Sequence, residues 1–238
     1  MTSDIENKWQ RVWESRELLV DDTTTVLEKL IALDGFDTPL GRMNESDWIE
    51  YGRLLASRIG VIQTDSLFEL GCGSGAFLYP FMLKGHKVAG LDFSKSLINA
   101  AIRAFPEFKG QLLLLEAIDC PVEPKFDIVL ANHVFHYFPS MNYAEAVLEQ
   151  MVRKTKRSVI ITALPDITLR AQSELARRGL LAEEQYNKKY EGLEILYFNK
   201  LFFSDFASRY QLDCHFQIHN MPGFAQNKFR FDCILEKD

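Results

Sequence analysis

The stretch LFELGCGSGAFLYPF, Leu67 to Phe81, runs from a short apolar segment into three glycines and out into a second apolar segment. Glycines at 71, 73 and 75, directly after a strand and opening a helix, mark a turn that needs positive φ and leaves room for a ligand against the backbone. Such a turn belongs to the first strand-to-helix connection of a doubly wound sheet, and no other feature of the chain restricts the fold as much. The residues that follow agree with it. SLFEL, KVAGLD, QLLLLEA, FDIVLAN and RSVIITAL are short apolar runs, separated by helix-forming stretches over Phe77–Leu83, Leu97–Ala104 and Tyr143–Val152. Strands buried on both faces read as continuous apolar runs. The expected class is therefore α/β, a mostly parallel sheet with helices on both sides.

The flanks read differently. Ile5, Trp9, Val12 and Trp13 recur at helical spacing, as do Val26, Leu27, Leu30 and Ile31, and a third helix from about Ser46 carries Trp48, Tyr51, Leu54, Leu55 and Ile59. Between the last two, LDGFDTPLGRMNESDW is rich in turn formers and is a candidate functional loop. Beyond Leu164 the strand–helix alternation stops. Residues 165–200 read as helical segments bearing Tyr186, Tyr190, Tyr197 and Phe198, at the sheet edge where lids and substrate pockets sit. At the end, Leu212, Cys214, Phe216 and Ile218 alternate with polar residues, as do Phe229, Phe231, Cys233 and Leu235. This predicts an antiparallel pair, with His215 and His219 together on the solvent face.

Composition narrows the function classes. A 238-residue chain suits one domain with an appendage, and no apolar run approaches the roughly 20 residues that a membrane span needs. The N-terminus MTSDIENKWQ lacks a basic segment followed by an apolar one, so the cytoplasm is the expected location. A net charge of -6 offers no basic face for phosphates, which argues against nucleic-acid partners. The basic cluster Arg153, Lys154, Lys156 and Arg157 falls at a helix C-terminus, where the dipole favours cations. Cys72, Cys120, Cys214 and Cys233 show no C-x-x-C spacing, which points to reduced thiols rather than disulfides or zinc.

The turn itself admits two kinds of ligand. GCGSGA satisfies the dinucleotide pattern, and Asp92, about 20 positions after Gly71, is placed to bind the ribose of either a dinucleotide or a nucleoside. Glu69 separates them. A carboxylate two residues before the first glycine repels pyrophosphate but attracts the ammonium group of S-adenosylmethionine (SAM).

With these residues in view, FELGCGSG resembles the first motif of class I SAM-dependent methyltransferases, and VAGLDFS, LLEAIDCP and FDIVLANHVFHYFPS are similar to the second, third and fourth. The resemblance covers roughly residues 50–236. It implies a seven-stranded, Rossmann-like sheet with a terminal antiparallel strand, SAM as cofactor and S-adenosylhomocysteine as its product. It also implies cofactor contacts from Glu69, Gly71, Cys72, Gly73, Gly75, Asp92 and Phe93, adenine contacts from Glu116, Ala117 and Ile118, and Asn132 beside the methionine part. Leu115 and Glu116 depart from the family's usual Gly-Asp. The expected organisation is one domain, 1–238, with a helical cap over 1–60, a SAM-binding core over 61–164, a substrate lid over 165–200 and a C-terminal helix with antiparallel strands over 201–238.

Methyl transfer to a hydroxyl requires an acceptor for the proton, and histidine is suited to it near neutral pH. His136 matches the position at which small-molecule O-methyltransferases of this family carry a basic histidine, with Tyr137 where their second histidine stands. His133 is a further candidate base, and Asp166 either orients a histidine or caps the following helix. The fourth strand ends in Asn132 rather than an acid, so no metal is expected. Trp48, Tyr137, Tyr186, Tyr190 and Tyr197 are the expected substrate contacts. The sequence thus reads as an enzyme that O-methylates a small molecule. Finer likenesses to assembly-line domains of polyketide and peptide biosynthesis imply a free or carrier-protein-tethered acceptor. N-methylation, a nicotinamide-dependent reductase and a non-catalytic SAM-binding protein are the alternatives.

Overall fold

The computed structural model describes residues 8–17, 24–38, 41–179 and 183–237. Seven strands, β1 (Leu67–Leu70), β2 (Val88–Asp92), β3 (Leu112–Leu114), β4 (Phe126–Asn132), β5 (Thr155–Pro165), β6 (Asp213–Ile218) and β7 (Arg230–Glu236), form one sheet in the order β3-β2-β1-β4-β5-β7-β6. The pairings from β3 through β5 are parallel, and β7 runs antiparallel to both β5 and β6. The expected fold class is the observed one. The last strand of the chain is the antiparallel one, but it is inserted one place in from the edge.

Each central strand feeds two cores. Leu67, Ile128, Leu130 and Ile160 point into the cluster that holds the N-terminal helices. Phe68, Val129, Ala131, Val159 and Ile161 point into the other. Period-two side chains explain the split, and burial on both faces explains the unbroken apolar runs. The edge strand β3 departs from that rule: Leu113 and Leu114 are exposed, because no helix covers that end of the sheet fully.

Among the described residues, α1 (Lys8–Glu14), α2 (Val26–Leu33) and α3 (Glu45–Arg58) precede the sheet. The second starts at a capping box in which Thr25 and Glu28 satisfy each other's backbone donors. Ile5, assigned to the first helix by spacing, lies outside the described residues. Within the sheet region, α4 (Tyr79–Leu83), α5 (Lys95–Ala104) and α6 (Met141–Lys154) make the crossovers. Then come α7 (Arg170–Arg178), α8 (Glu183–Tyr190) and α9 (Lys200–Tyr210). In the basic cluster at the end of α6, Lys156 pairs with Asp127, Arg157 with Asp65, and the buried Lys154 amine donates to the carbonyls of Pro121 and Pro124. No helix among the described residues is long and apolar enough to cross a membrane.

The strand order reverses between β1 and β4, which opens a crevice at their carboxyl ends. A bulge in β5 borders the same end. Between Ile161 and Leu164 the register shifts, and Ala163 takes φ 59°, turning its N–H toward Asp232 and its carbonyl toward Arg230.

Truncating Ile160, which is fully buried in β5, to Ala should cost about 2–5 kcal/mol in urea unfolding. Ile218→Ala, on a residue 78% exposed, should stay within about 0.5 kcal/mol of the parent. Equal effects would place the core elsewhere.

Candidate active site

The glycine turn is held from below by backbone and from beside by a carboxylate. Gly71 and Cys72 both donate to Leu91 O, at 2.8 and 2.9 Å, and Gly73 N–H donates to Asp92 Oδ2 at 2.9 Å. Gly71 has φ 71°, and a Cβ there would lie 2.5 Å from a Val134 methyl; at Gly73 it would lie 2.4 Å from Asp34 Oδ1. Neither position accepts a side chain. Asp92 Oδ1 accepts from Ser94 N at 2.8 Å. Each carboxylate oxygen carries two lone pairs, so Asp92 keeps one on each for a further donor pair such as ribose hydroxyls.

Three carboxylates meet at this turn. Asp34, at the end of α2, accepts from Ser74 N and Ser74 Oγ at 2.8 and 2.9 Å. Glu69 is buried in β1, and its Oε2 has no hydrogen-bond partner. No ion pair neutralises Asp34, Glu69 or Asp92 among the described residues. Burial pushes the Asp34 carboxyl up to about 7 and Asp92 up to about 6, and burial with both neighbouring acids holds Glu69 well above its ordinary value. Buried charge without a partner is costly, so this end of the site is built for a cation. Sequence reasoning did not assign Asp34. Its only signal was an acid followed by glycine at a helix end, inside the loop already marked as functional.

All three acids line a cavity of about 880 Å³. The same cavity is walled by Gly71, Cys72, Gly73, Phe93, Glu116, Ala117, Ile118 and Asn132, all expected cofactor residues; Gly75 shapes the turn from behind, against Phe108. The Glu116 carboxylate accepts from Gln10 Nε2 at 2.6 Å, which ties α1 across the mouth. The carboxylate keeps lone pairs beyond that contact, so Glu116 and the backbone around Ala117 and Ile118 all remain at the expected adenine edge. Trp9 and Trp13 of α1 pack on Tyr137 in tilted and edge-on arrangements, with ring centroids 4.6 and 5.4 Å apart.

Beside the turn, Asn132 closes β4. Its amide oxygen accepts from Tyr51 Oη at 2.8 Å and Thr162 Oγ1 at 2.7 Å, which leaves its N–H₂ as the available group. His133 follows in a left-handed conformation, φ 60°, packed on Phe36 and Phe224. Its Nε2 is buried without a partner, and burial holds the ring neutral, well below its ordinary pKa. His136 Nδ1 stands 3.3 Å from Arg230 Nη1. A guanidinium only donates, so Nδ1 is the acceptor and the ring's proton sits on Nε2. In that tautomer His136 presents a donor, the form suited to orienting an acceptor rather than taking its proton. Burial and the charges of Arg230 and Arg177 lower its pKa as well.

Other expected residues fall away from the cavity. Asp166 accepts from Thr168 N and Oγ1 at 2.8 and 2.6 Å, capping the short turn Ile167–Leu169, and does not line the site. Its expected catalytic role is withdrawn in favour of the cap. Tyr186 is buried under Arg178, and Tyr197 Oη accepts from Arg177 Nη2 at 3.1 Å; both stand behind the wall, where they hold arginines rather than touch the cavity. The Tyr190 side chain lies outside the described residues. Trp48 and Tyr137 do line the cavity, with the Trp48 indole N–H spent on Ala76 O.

His219 was expected to face solvent and is instead fully buried. The strand β6 ends at Ile218, so alternation lapses one residue before it, and His219 Nδ1 meets Asp232 Oδ1 at 2.7 Å. Its ring centroid lies 4.9 Å from that of His133.

Residues 68–159 match a protein family described as a methyltransferase domain. Enniatin synthase of Fusarium equiseti is 31% identical over 126 residues, which make up 50% of this chain and 4% of that protein. The chain thus spans a small fraction of the length of the curated synthetases it matches. Among solved structures, magnesium protoporphyrin IX methyltransferase of Synechocystis PCC 6803 with bound SAM superposes with a TM-score of 0.60 at 14% identity, covering 99% of this chain and 98% of that one. The N-methyltransferase NodS of Bradyrhizobium japonicum WM9 with S-adenosylhomocysteine also gives 0.60 at 14% identity, over 91% and 99%. At that identity the likeness is one of fold.

Glu69→Gln should weaken SAM and S-adenosylhomocysteine about 10- to 100-fold in calorimetric titration, the range of one hydrogen bond to a charged group. 5′-Methylthioadenosine, which lacks the amino-acid tail, should bind the variant and the parent alike. A matching loss for that nucleoside would remove Glu69 from the tail-binding role.

Proposed function

We propose that this chain, a member of the SAM-dependent methyltransferases, transfers the methyl group of SAM to a hydroxyl oxygen of a small organic molecule enclosed in the cavity. When bound, SAM supplies an electrophilic methyl group on a sulfonium. The residues present fit it: Glu69 and Asp34 are placed for its ammonium group, Asp92 for its ribose hydroxyls, and Phe93 with the backbone at Ala117 and Ile118 for its adenine.

The observation that carries the acceptor assignment is the pair of neutral histidines, His133 and His136, at the methyl end of a covered, largely aromatic wall. Displacement at a sulfonium methyl needs in-line alignment and exclusion of water, which Trp48, Phe36, Tyr137 and Phe224 supply. The His136 N–H orients the acceptor. The hydroxyl proton passes to His133, whose ring is fixed by Phe36, Phe224 and His219 and is unprotonated at neutral pH. Resemblance to peptide synthetases such as enniatin synthase supports an acceptor from secondary metabolism.

A second reading, N-methylation, is favoured by the tautomer of His136, since an amine acceptor needs little help from a base. Purified protein assayed for S-adenosylhomocysteine release across paired hydroxyl and amine acceptors separates the two. On the oxygen reading, His133→Ala lowers kcat about 10²- to 10⁴-fold while SAM affinity holds. Turnover confined to amines, or a His133→Ala enzyme with unchanged kcat, would reverse the order of the two readings.

A further inference from the structure

Opposite the three acids, the cavity ends in two arginines. Arg230 Nη1 donates to Ala163 O at 2.7 Å and to His136 Nδ1 at 3.3 Å, both uncharged groups, and its guanidinium lies 5.3 Å from the Phe224 ring centroid. Arg177 Nη2 donates to Tyr197 Oη, and its Nε is buried with no partner. Both line the cavity, and neither pairs with a carboxylate among the described residues. Arg177 lies near enough for its charge to disfavour that of Arg230. Burial and then Arg177 hold Arg230 down at about 10, with Tyr137 and Tyr197 acting the other way.

Buried charges in folded proteins are paired, because an unpaired one forfeits its hydration without return. The acids at the opposite end obey that rule through a cation that the chain does not contain. The arginines are half-buried rather than buried, but Arg177 Nε is buried without a partner and neither guanidinium meets a carboxylate among the described residues, so an anion would complete them. Guanidinium groups present forked donors that match a carboxylate at two points, and Arg177 still has an unspent N–H there.

We propose that the methyl acceptor carries a free carboxylate, bound between Arg177 and Arg230 at the end of the cavity remote from the glycine turn. The proposal rests on reading this half of the cavity as the acceptor site. It favours a free organic acid over a carrier-tethered acyl group, whose carboxyl carbon is consumed in a thioester and bears no charge. His136, bridged to the anion site through Arg230, then aligns the acceptor with the anchored carboxylate as its reference point.

The test is binding rather than turnover. Protein saturated with S-adenosylhomocysteine is titrated calorimetrically with benzoate, 4-hydroxybenzoate and phenylacetate, with the three matching amides, and with phenyl phosphate. Acids should bind at least about tenfold tighter than their amides, and Arg177→Gln and Arg230→Gln should each remove most of that preference. Arg177 sits on α7 outside the sheet, so its variant keeps the test open if the β7 variant does not fold. S-Adenosylhomocysteine affinity should be unchanged in the variants; its absence in the parent would instead sink the methyltransferase reading. No acid preference in the parent, including no binding of any acid at millimolar concentration, would overturn the proposal, as would a preference that survives both substitutions. Phenyl phosphate binding tighter than every carboxylate would overturn the choice of carboxylate.

Discussion

Uncompensated charge, buried at the carboxyl edge of one sheet, governs this molecule. Asp34, Glu69 and Asp92 converge on a turn with no ion-pair partner among the described residues; burial raises all three, Asp92 adds to the rise of Asp34, both add to that of Glu69, and Glu116 adds to that of Asp92. The folded state therefore holds protons more tightly than the unfolded chain does. The contribution of these carboxyls to stability without ligand falls as pH rises from about 4 through about 7, the window between ordinary and raised values. A bound cation relieves that cost, so ligand affinity and apo-protein instability share one cause. Arg177 and Arg230, half-buried and without a carboxylate partner among the described residues, bring the opposite sign to the same cavity.

The fold supplies these positions through two local irregularities. Reversal of strand order between β1 and β4 brings the turn after Leu70 beside Asn132, so the cavity is lined from adjacent strand ends. The bulge at Ala163 then hands one carbonyl to Arg230 and one N–H to Asp232, which in turn fixes His219 behind His133. A regular β5 would spend both groups on its neighbours. The wall that carries Arg230 and His219 thus depends on a single left-handed residue two strands from the glycine turn.

Much of this was legible in sequence because it is periodic or local. Continuous apolar runs gave the parallel sheet, and a carboxylate at a fixed offset from each end of the glycine turn gave Glu69 and Asp92. What the sequence did not reveal depends on where elements end or meet. His219 turns inward because β6 stops at Ile218, and no alternation pattern records a strand end to the residue. Tyr186 and Tyr197 look like pocket aromatics but back up arginines, since an amphipathic ring packs equally well on either side of a wall. Asp34 and Arg230 are distant in sequence from the motifs they serve, and only tertiary contact identifies them. The role of His136 turned on Arg230 for the same reason.

The most direct test is calorimetry of SAM binding in two buffers of different ionisation enthalpy, at pH 6.5 and again at pH 8.5. If the acidic end is a cation site made of carboxylates with raised pKa, a cationic ligand drives protons off Asp34, Asp92 and Glu69 as it binds. Net proton release at pH 6.5 that diminishes at pH 8.5 is the predicted result. Binding with no proton exchange at either pH, or with proton uptake at pH 6.5, would contradict the charge pairing on which the account rests.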